Sequence, residues 1–184
     1  MSYHAARREG ANGAPVLFTF HGTGGDETQF HTLGSELISD ARVVSPRGDV
    51  SENGANRFFK RAAEGVYDMD DFWRGAQKMA GFVGDEAGDA RPVVGLGYSN
   101  GANILAAVAL VEPERFDTMV LMHPLIPFDP EAVNLTGKRI LVTAGRRDLI
   151  CPEAETERLI NWLREQGAEV LAHWHDGGHE IRRD

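Results

Sequence analysis

Along this chain, short β-type runs and longer helix-type runs take turns, and that order constrains the fold more than any other feature. Alternation of this kind predicts an α/β architecture with a mainly parallel sheet. Val16–Phe20 is an apolar five-residue run, followed by a helical pattern over 27–39 with Phe30, Leu33 and Leu37 at spacings of three and four. A second strand is expected at 42–45. Residues 68–86 form a helical pattern capped by Asp68, with Phe72, Trp73, Ala76, Met79, Ala80 and Val83 along one stripe. Residues 92–98 are apolar on both faces, which predicts a central strand. A nearly all-apolar helix follows at 102–111. Strands are expected at 118–122, 139–144 and 169–174, and a helix at 153–166 ended by Gly167. The expected fold is therefore a doubly wound sheet of about six strands flanked by helices, with ligands at the carboxyl ends of the strands. Residues 1–15 read as an N-terminal segment and residues 16–184 as one domain.

Composition removes several function classes. The chain has 184 residues, 42% hydrophobic and 26% charged, which is ordinary globular usage. A net charge of −9 repels a phosphate backbone, so nucleic acid is not an expected partner. A lone cysteine, Cys151, forms no internal disulfide and no four-cysteine metal site. No apolar run reaches the roughly 20 residues that span a bilayer, and the N-terminus lacks a secretory pattern. A cytoplasmic protein is the expectation. The glycine-rich turns at 22–25 and 95–101 fail the dinucleotide pattern, because Glu27 and Asn100 occupy the third glycine position.

Gly97-Tyr98-Ser99-Asn100-Gly101 satisfies G-x-S-x-G between an apolar strand and an apolar helix. That pattern needs a sharp strand-to-helix turn with serine at its apex and room for the backbone on either side. A serine hydroxyl needs a base, and the base an orienting acid. Asp148 follows the strand at 139–144 and His179 follows the strand at 169–174, in the chain order that accompanies this motif. The expected catalytic residues are Ser99, Asp148 and His179. The oxyanion donors are expected to be the backbone N–H groups of Asn100 and Thr23, in His21-Gly22-Thr23-Gly24-Gly25, with His21 bracing that loop.

Other groups leave two readings open. The long loop over 46–67 carries Arg47, Arg57, Phe58, Phe59, Lys60 and Arg61. It forms either the rim of an acyl pocket, with an arginine for an anionic group, or a solvated basic stretch whose phenylalanines dock on the core. Arg57 and Phe58 are the substrate-contact candidates there, and His123 is a third. His173 and His175 share a strand face, but Gly177 and Gly178 break the H-x-H-x-D-H pattern of a metallo-hydrolase, so no metal is expected. Cys151 reads as a packed small residue rather than a nucleophile, and no cofactor is called for.

With these residues in hand, the chain resembles the α/β-hydrolase superfamily, and within it the compact phospholipase/carboxylesterase group of serine esterases and acyl-protein thioesterases. Phe20–Gly25, Gly97–Gly101, Asp148–Pro152 and Gly178-His179 carry the resemblance. Ser45-Pro46-Arg47-Gly48 with Arg57-Phe58-Phe59 is further similar to the hydroquinone-associated hydrolases. The resemblance implies hydrolysis of a small carboxylic ester or thioester without a cofactor. It also implies two departures. Only residues 123–137 stand where larger members carry a lid domain, and residues 180–184 are too few for the helix that usually follows the histidine. A missing last helix would leave an apolar sheet face open and favour pairing as a homodimer. Alternatives are a thioesterase or peptidase of the same fold, and a non-catalytic binding domain.

Overall fold

The computed structural model describes residues 2–182. Met1, Arg183 and Asp184, at the ends of the two expected segments, lie outside the described residues. In chain order the elements are β1 (Ala5–Arg8), β2 (Val16–Phe20), α1 (His31–Leu37), β3 (Arg42–Pro46), β4 (Val50–Glu52), β5 (Ala55–Arg57), β6 (Arg61–Ala63), β7 (Val66–Tyr67) and α2 (Met69–Ala87). Then come β8 (Val93–Tyr98), α3 (Asn100–Val111), β9 (Thr118–Met122), β10 (Arg139–Gly145), α4 (Glu153–Glu165) and β11 (Glu169–His175).

The main sheet runs β1-β3-β2-β8-β9-β10-β11. All neighbours are parallel except β1, which lies antiparallel on β3. The mainly parallel α/β sheet is as expected, with β8 at its centre. The sheet has seven strands where about six were expected, because residues 5–8 pair at its edge instead of forming a plain leader. Ala5-Ala6-Arg7-Arg8 has no alternating apolar pattern. Its place is fixed by backbone pairing and by the Arg8 guanidinium, which donates to the carbonyls of Ser39 (2.6 Å) and Ala41 (2.9 Å).

Opposite faces of the sheet enter different cores, as the two-residue period of a strand requires. Phe18 and Phe20 join α2, α3 and α4 in the larger core, and Leu17 joins Phe30, Ala41 and Leu96 in a smaller one. The helix expected over 27–39 is shorter and presents a different side. Leu33 and Leu37 are 39% and 57% exposed, while Gly34 is buried. A Cβ on Gly34 would stand 3.0–3.2 Å from side-chain atoms of Thr19, Leu17 and Val43, so α1 lies on the sheet by its glycine and the leucines fall to the flanks. The expected loop over 46–67 holds two small hairpins, β4-β5 and β6-β7. Asp68 caps α2 as expected, accepting from the Asp71 N–H. On the smaller-core face, Leu171 is 68% exposed and borders a cavity of about 370 Å³ with Leu141 and Ile181. No helix among the described residues is long and apolar enough to cross a membrane.

Candidate active site

The turn between β8 and α3 is built by sterics. Ser99 has φ +53°, a conformation that costs a non-glycine residue about 1–3 kcal/mol. Its neighbours hold it there: the Ser99 N–H donates to the Met122 carbonyl (2.8 Å), and the Ser99 carbonyl accepts from the Asn103 N–H (2.9 Å). The chain passes so closely that a Cβ on Gly97 would lie 2.5 Å from the Gly101 oxygen, and one on Gly101 2.3 Å from the Phe20 oxygen. Both flanking glycines of the motif are therefore required by contact with backbone.

Three residues far apart in sequence meet at the carboxyl ends of β8, β10 and β11. His179 Nε2 lies 2.8 Å from Ser99 Oγ, and His179 Nδ1 lies 2.7 Å from Asp148 Oδ2. The loops that carry them are joined by backbone bonds: the Arg146 N–H donates to the His175 carbonyl and the Arg147 N–H to the Gly177 carbonyl, both at 2.9 Å. Asp148 Oδ1 accepts from the N–H groups of Ile150 (2.8 Å) and Cys151 (2.9 Å). Burial raises the Asp148 pKa, but the Cys151 N–H and the two imidazole hydrogen bonds outweigh it and hold the carboxyl below its ordinary value.

A cavity of about 170 Å³ opens beside Ser99. Thr23, Arg57, Asn100 and His179 line it. As the first residue of α3, Asn100 has an N–H without an intrahelical acceptor. Around Thr23 the backbone is committed: the Gly22 N–H donates to Gln29 Oε1 (2.9 Å), that of Gly24 to the Asn56 carbonyl and that of Gly25 to the Gly22 carbonyl (both 3.0 Å). His21 braces this loop as expected. It is buried, accepts from the Gly48 N–H at Nε2 (2.9 Å) and reaches the Gly22 carbonyl through Nδ1 (2.7 Å).

Of the three substrate-contact candidates, only Arg57 reaches the cavity. It is 3% exposed, donates from Nη1 to Thr23 Oγ1 (2.6 Å) and from Nε to the Phe59 carbonyl (3.2 Å), and faces Glu52. Burial lowers its pKa, and nearby Arg61 adds to that, against the pull of Glu52. Phe58 is corrected to a core residue: it is fully buried against Phe20 and His21, and its N–H donates to Asn100 Oδ1 (2.8 Å). His123 is corrected as well. It is 1% exposed, lies behind Asp148, and its Nδ1 is 2.9 Å from Asp148 Oδ2.

Tyr98, Asn103 and Cys151 also line the cavity, and the sequence assigned none of them a part in the site. Tyr98 donates its hydroxyl to the His179 carbonyl (2.6 Å) and so ties the histidine loop to β8. Asn103 donates to the Tyr67 hydroxyl (2.8 Å) and accepts from the Leu125 N–H (2.7 Å). The helical spacing of Ser99 and Asn103 was the available clue, since residues four apart share a helix face. Cys151 is buried, its thiol points to the His123 carbonyl (3.3 Å), and burial pushes its pKa up, as suits a packed residue. His123, Asp148 and His179 also offer ligand atoms within 4.8 Å of one another. The contacts of 2.7 and 2.9 Å that join both imidazoles to Asp148 Oδ2 are hydrogen bonds.

No protein-family model matches the chain. It is 37% identical over 172 residues to MhqD of Bacillus subtilis (strain 168), a protein named as a hydrolase, covering 90% of this chain and 86% of that one. Among solved structures, protein Atu2452 of Agrobacterium tumefaciens str. C58, described as of unknown function, superposes with a TM-score of 0.94 at 52% identity, over 98% of this chain and 90% of that one. A carboxylesterase of Bacillus cereus superposes with a TM-score of 0.93 at 36% identity, over 98% and 88%. At that identity and coverage the chain belongs to one family with MhqD and the Bacillus cereus carboxylesterase, and it is an esterase-like hydrolase of the α/β-hydrolase superfamily.

Proposed function

We propose that the protein is a serine carboxylesterase that works through an acyl-enzyme. One observation carries this reading: the unbroken line from Ser99 Oγ through His179 to Asp148, at 2.8 and 2.7 Å. Ser99 Oγ attacks the ester carbonyl while its proton passes to His179 Nε2. The tetrahedral oxyanion takes hydrogen bonds from the Thr23 and Asn100 N–H groups, each worth about 3 kcal/mol of barrier. The C–O bond to the alcohol breaks as Nε2 returns the proton to the leaving oxygen. Water then repeats the sequence on the acyl-serine and releases the acid. Asp148 keeps the Nδ1–H tautomer in place and stabilises the imidazolium.

The cavity supports a small ester. At about 170 Å³ it is below the roughly 300 Å³ at which drug-sized ligand pockets begin, which favours short acyl groups. Arg57 lines it and anchors Thr23, so it is the proposed substrate-side residue. The reading treats the chain as one domain, with β1 joined to its sheet, acting in the cytoplasm. A fluorophosphonate probe on the full chain tests it. Covalent label on Ser99, and a burst of p-nitrophenol from p-nitrophenyl acetate, are expected. Label on another residue, or none on folded protein, overturns it. Parallel panels of thioesters and amides separate thioesterase and peptidase activity from oxygen-ester hydrolysis.

A further inference from the structure

Behind the proposed triad lies a second chain of imidazoles that the triad does not use. His175 Nε2 is 3.4 Å from His123 Nε2, and His123 Nδ1 is 2.9 Å from Asp148 Oδ2, the same oxygen that His179 Nδ1 meets. The proton positions along it follow from one backbone donor. The Gly177 N–H donates to His175 Nδ1 (3.0 Å), so in the neutral ring the proton sits on Nε2. That N–H faces His123 Nε2, which must then be an acceptor, and the His123 proton is placed on Nδ1, pointing at Asp148. Gly177 is two residues from His179, so one loop sets both arms.

We propose that His123, locked by His175, is a positioning residue that holds Asp148 from behind and lowers the basicity of His179. The proposal deepens the triad reading and rests on it. A second N–H on Oδ2 withdraws part of the negative charge that the carboxylate would otherwise offer the His179 imidazolium. The structure pays for this placement: His123 sits at φ +53°, with its N–H held by the Thr143 carbonyl (2.8 Å). Burial lowers the pKa of His123 despite Asp148, which keeps it the neutral, single-proton donor the relay needs. Among the described residues, titratable groups reach His123 from several elements. Asp148 and the Cys151 thiol come from the loop after β10, and Tyr98 comes from β8. His175 and His179 come from β11 and its loop, and Arg182 and His173 line the outer cavity.

The test reads tautomers directly. Nitrogen-15 NMR of the full-length protein at pH 8 is expected to show His123 protonated on Nδ1 and His175 on Nε2. His123 protonated on Nε2 instead overturns the relay. In kinetics, His123→Leu is expected to raise the lower apparent pKa of kcat/KM by about half a unit or more, because Asp148 regains charge. His123→Asn accepts a positive φ and offers an N–H near the position of Nδ1, so it is expected to move that pKa back. An unchanged lower pKa in His123→Leu, or no rescue by His123→Asn, overturns the proposal. If His123→Leu fails to fold, the NMR result decides alone. Phosphonate labelling of Ser99 in the parent separates failure of the relay from failure of the triad.

Discussion

Replacing Asp148 with asparagine tests the logic of the site at its most crowded point. Four N–H groups converge on this carboxylate: Ile150 (2.8 Å) and Cys151 (2.9 Å) at Oδ1, and Nδ1 of His123 (2.9 Å) and His179 (2.7 Å) at Oδ2. An amide offers one accepting oxygen and an NH₂ that only donates. With its oxygen toward the backbone pair, the NH₂ faces both imidazoles. His179 then has to carry its proton on Nε2 and loses the ability to accept from Ser99. His123 has no such escape, because the proposed His175 N–H already occupies its Nε2. With the oxygen toward the imidazoles, the buried Cys151 N–H and the part-buried Ile150 N–H go unpaired. Each unsatisfied donor costs about 1–3 kcal/mol, so Asp148→Asn is expected to lose about 1–3 kcal/mol of stability by the cheaper arrangement. The wrong tautomer costs about 10⁴ in kcat. The parent carboxyl has a depressed pKa, so its stabilisation is complete above the ordinary value near 4 and lost as pH falls through the folded value. The stability gap between parent and Asp148→Asn should therefore narrow below about pH 4. Initial rates on p-nitrophenyl acetate and urea unfolding from pH 3 to 8 measure both effects. A variant that keeps more than a tenth of the parent kcat/KM would refute the reasoning.

Three further outcomes follow from the same geometry. Ser99→Gly and Ser99→Ala should both abolish turnover, but the glycine variant should be the more stable by about 1 kcal/mol, because φ +53° strains alanine and not glycine; thermal melts compare them. Gly101→Ala should lose about 1–3 kcal/mol and most activity, since its Cβ would meet the Phe20 and His21 carbonyls at 2.3 and 2.5 Å; urea midpoints and ester assays check this. Burial lowers the pKa of His21, so the unfolded chain takes up the proton first, and stability is full above about pH 6.5 and declines below it. His21→Gln, which keeps an acceptor for Gly48, should flatten that decline between pH 5 and 6.5 in urea titrations.

Much of this was legible in the sequence because the signals are local. A strand, a sharp turn and a helix leave their mark within a dozen residues, so β8, Ser99 and α3 could be read directly. Asp148 and His179 could be placed near the same end of the sheet because each lies in a loop a few residues past a strand. Arg57 and Phe58 show where local reading stops. Successive residues of an extended segment point opposite ways, and only the hairpin β4-β5 decides that Arg57 turns to the cavity while Phe58 enters the core. Likewise β1 has no hydrophobic signature, because an edge strand held by backbone pairing needs none.

The sequence by itself determined the α/β order, the serine at the apex of its turn, and the placing of Asp148 and His179 in the loops after two later strands, since periodicity and steric need act between near neighbours. Tertiary structure alone decided that His123 and His179 share one oxygen of Asp148, that Tyr98 anchors the histidine loop, and that the cavity is small. Those facts depend on how loops from separate strands stack in space, and no pattern along one stretch of chain encodes a distance between residues 25 to 81 positions apart.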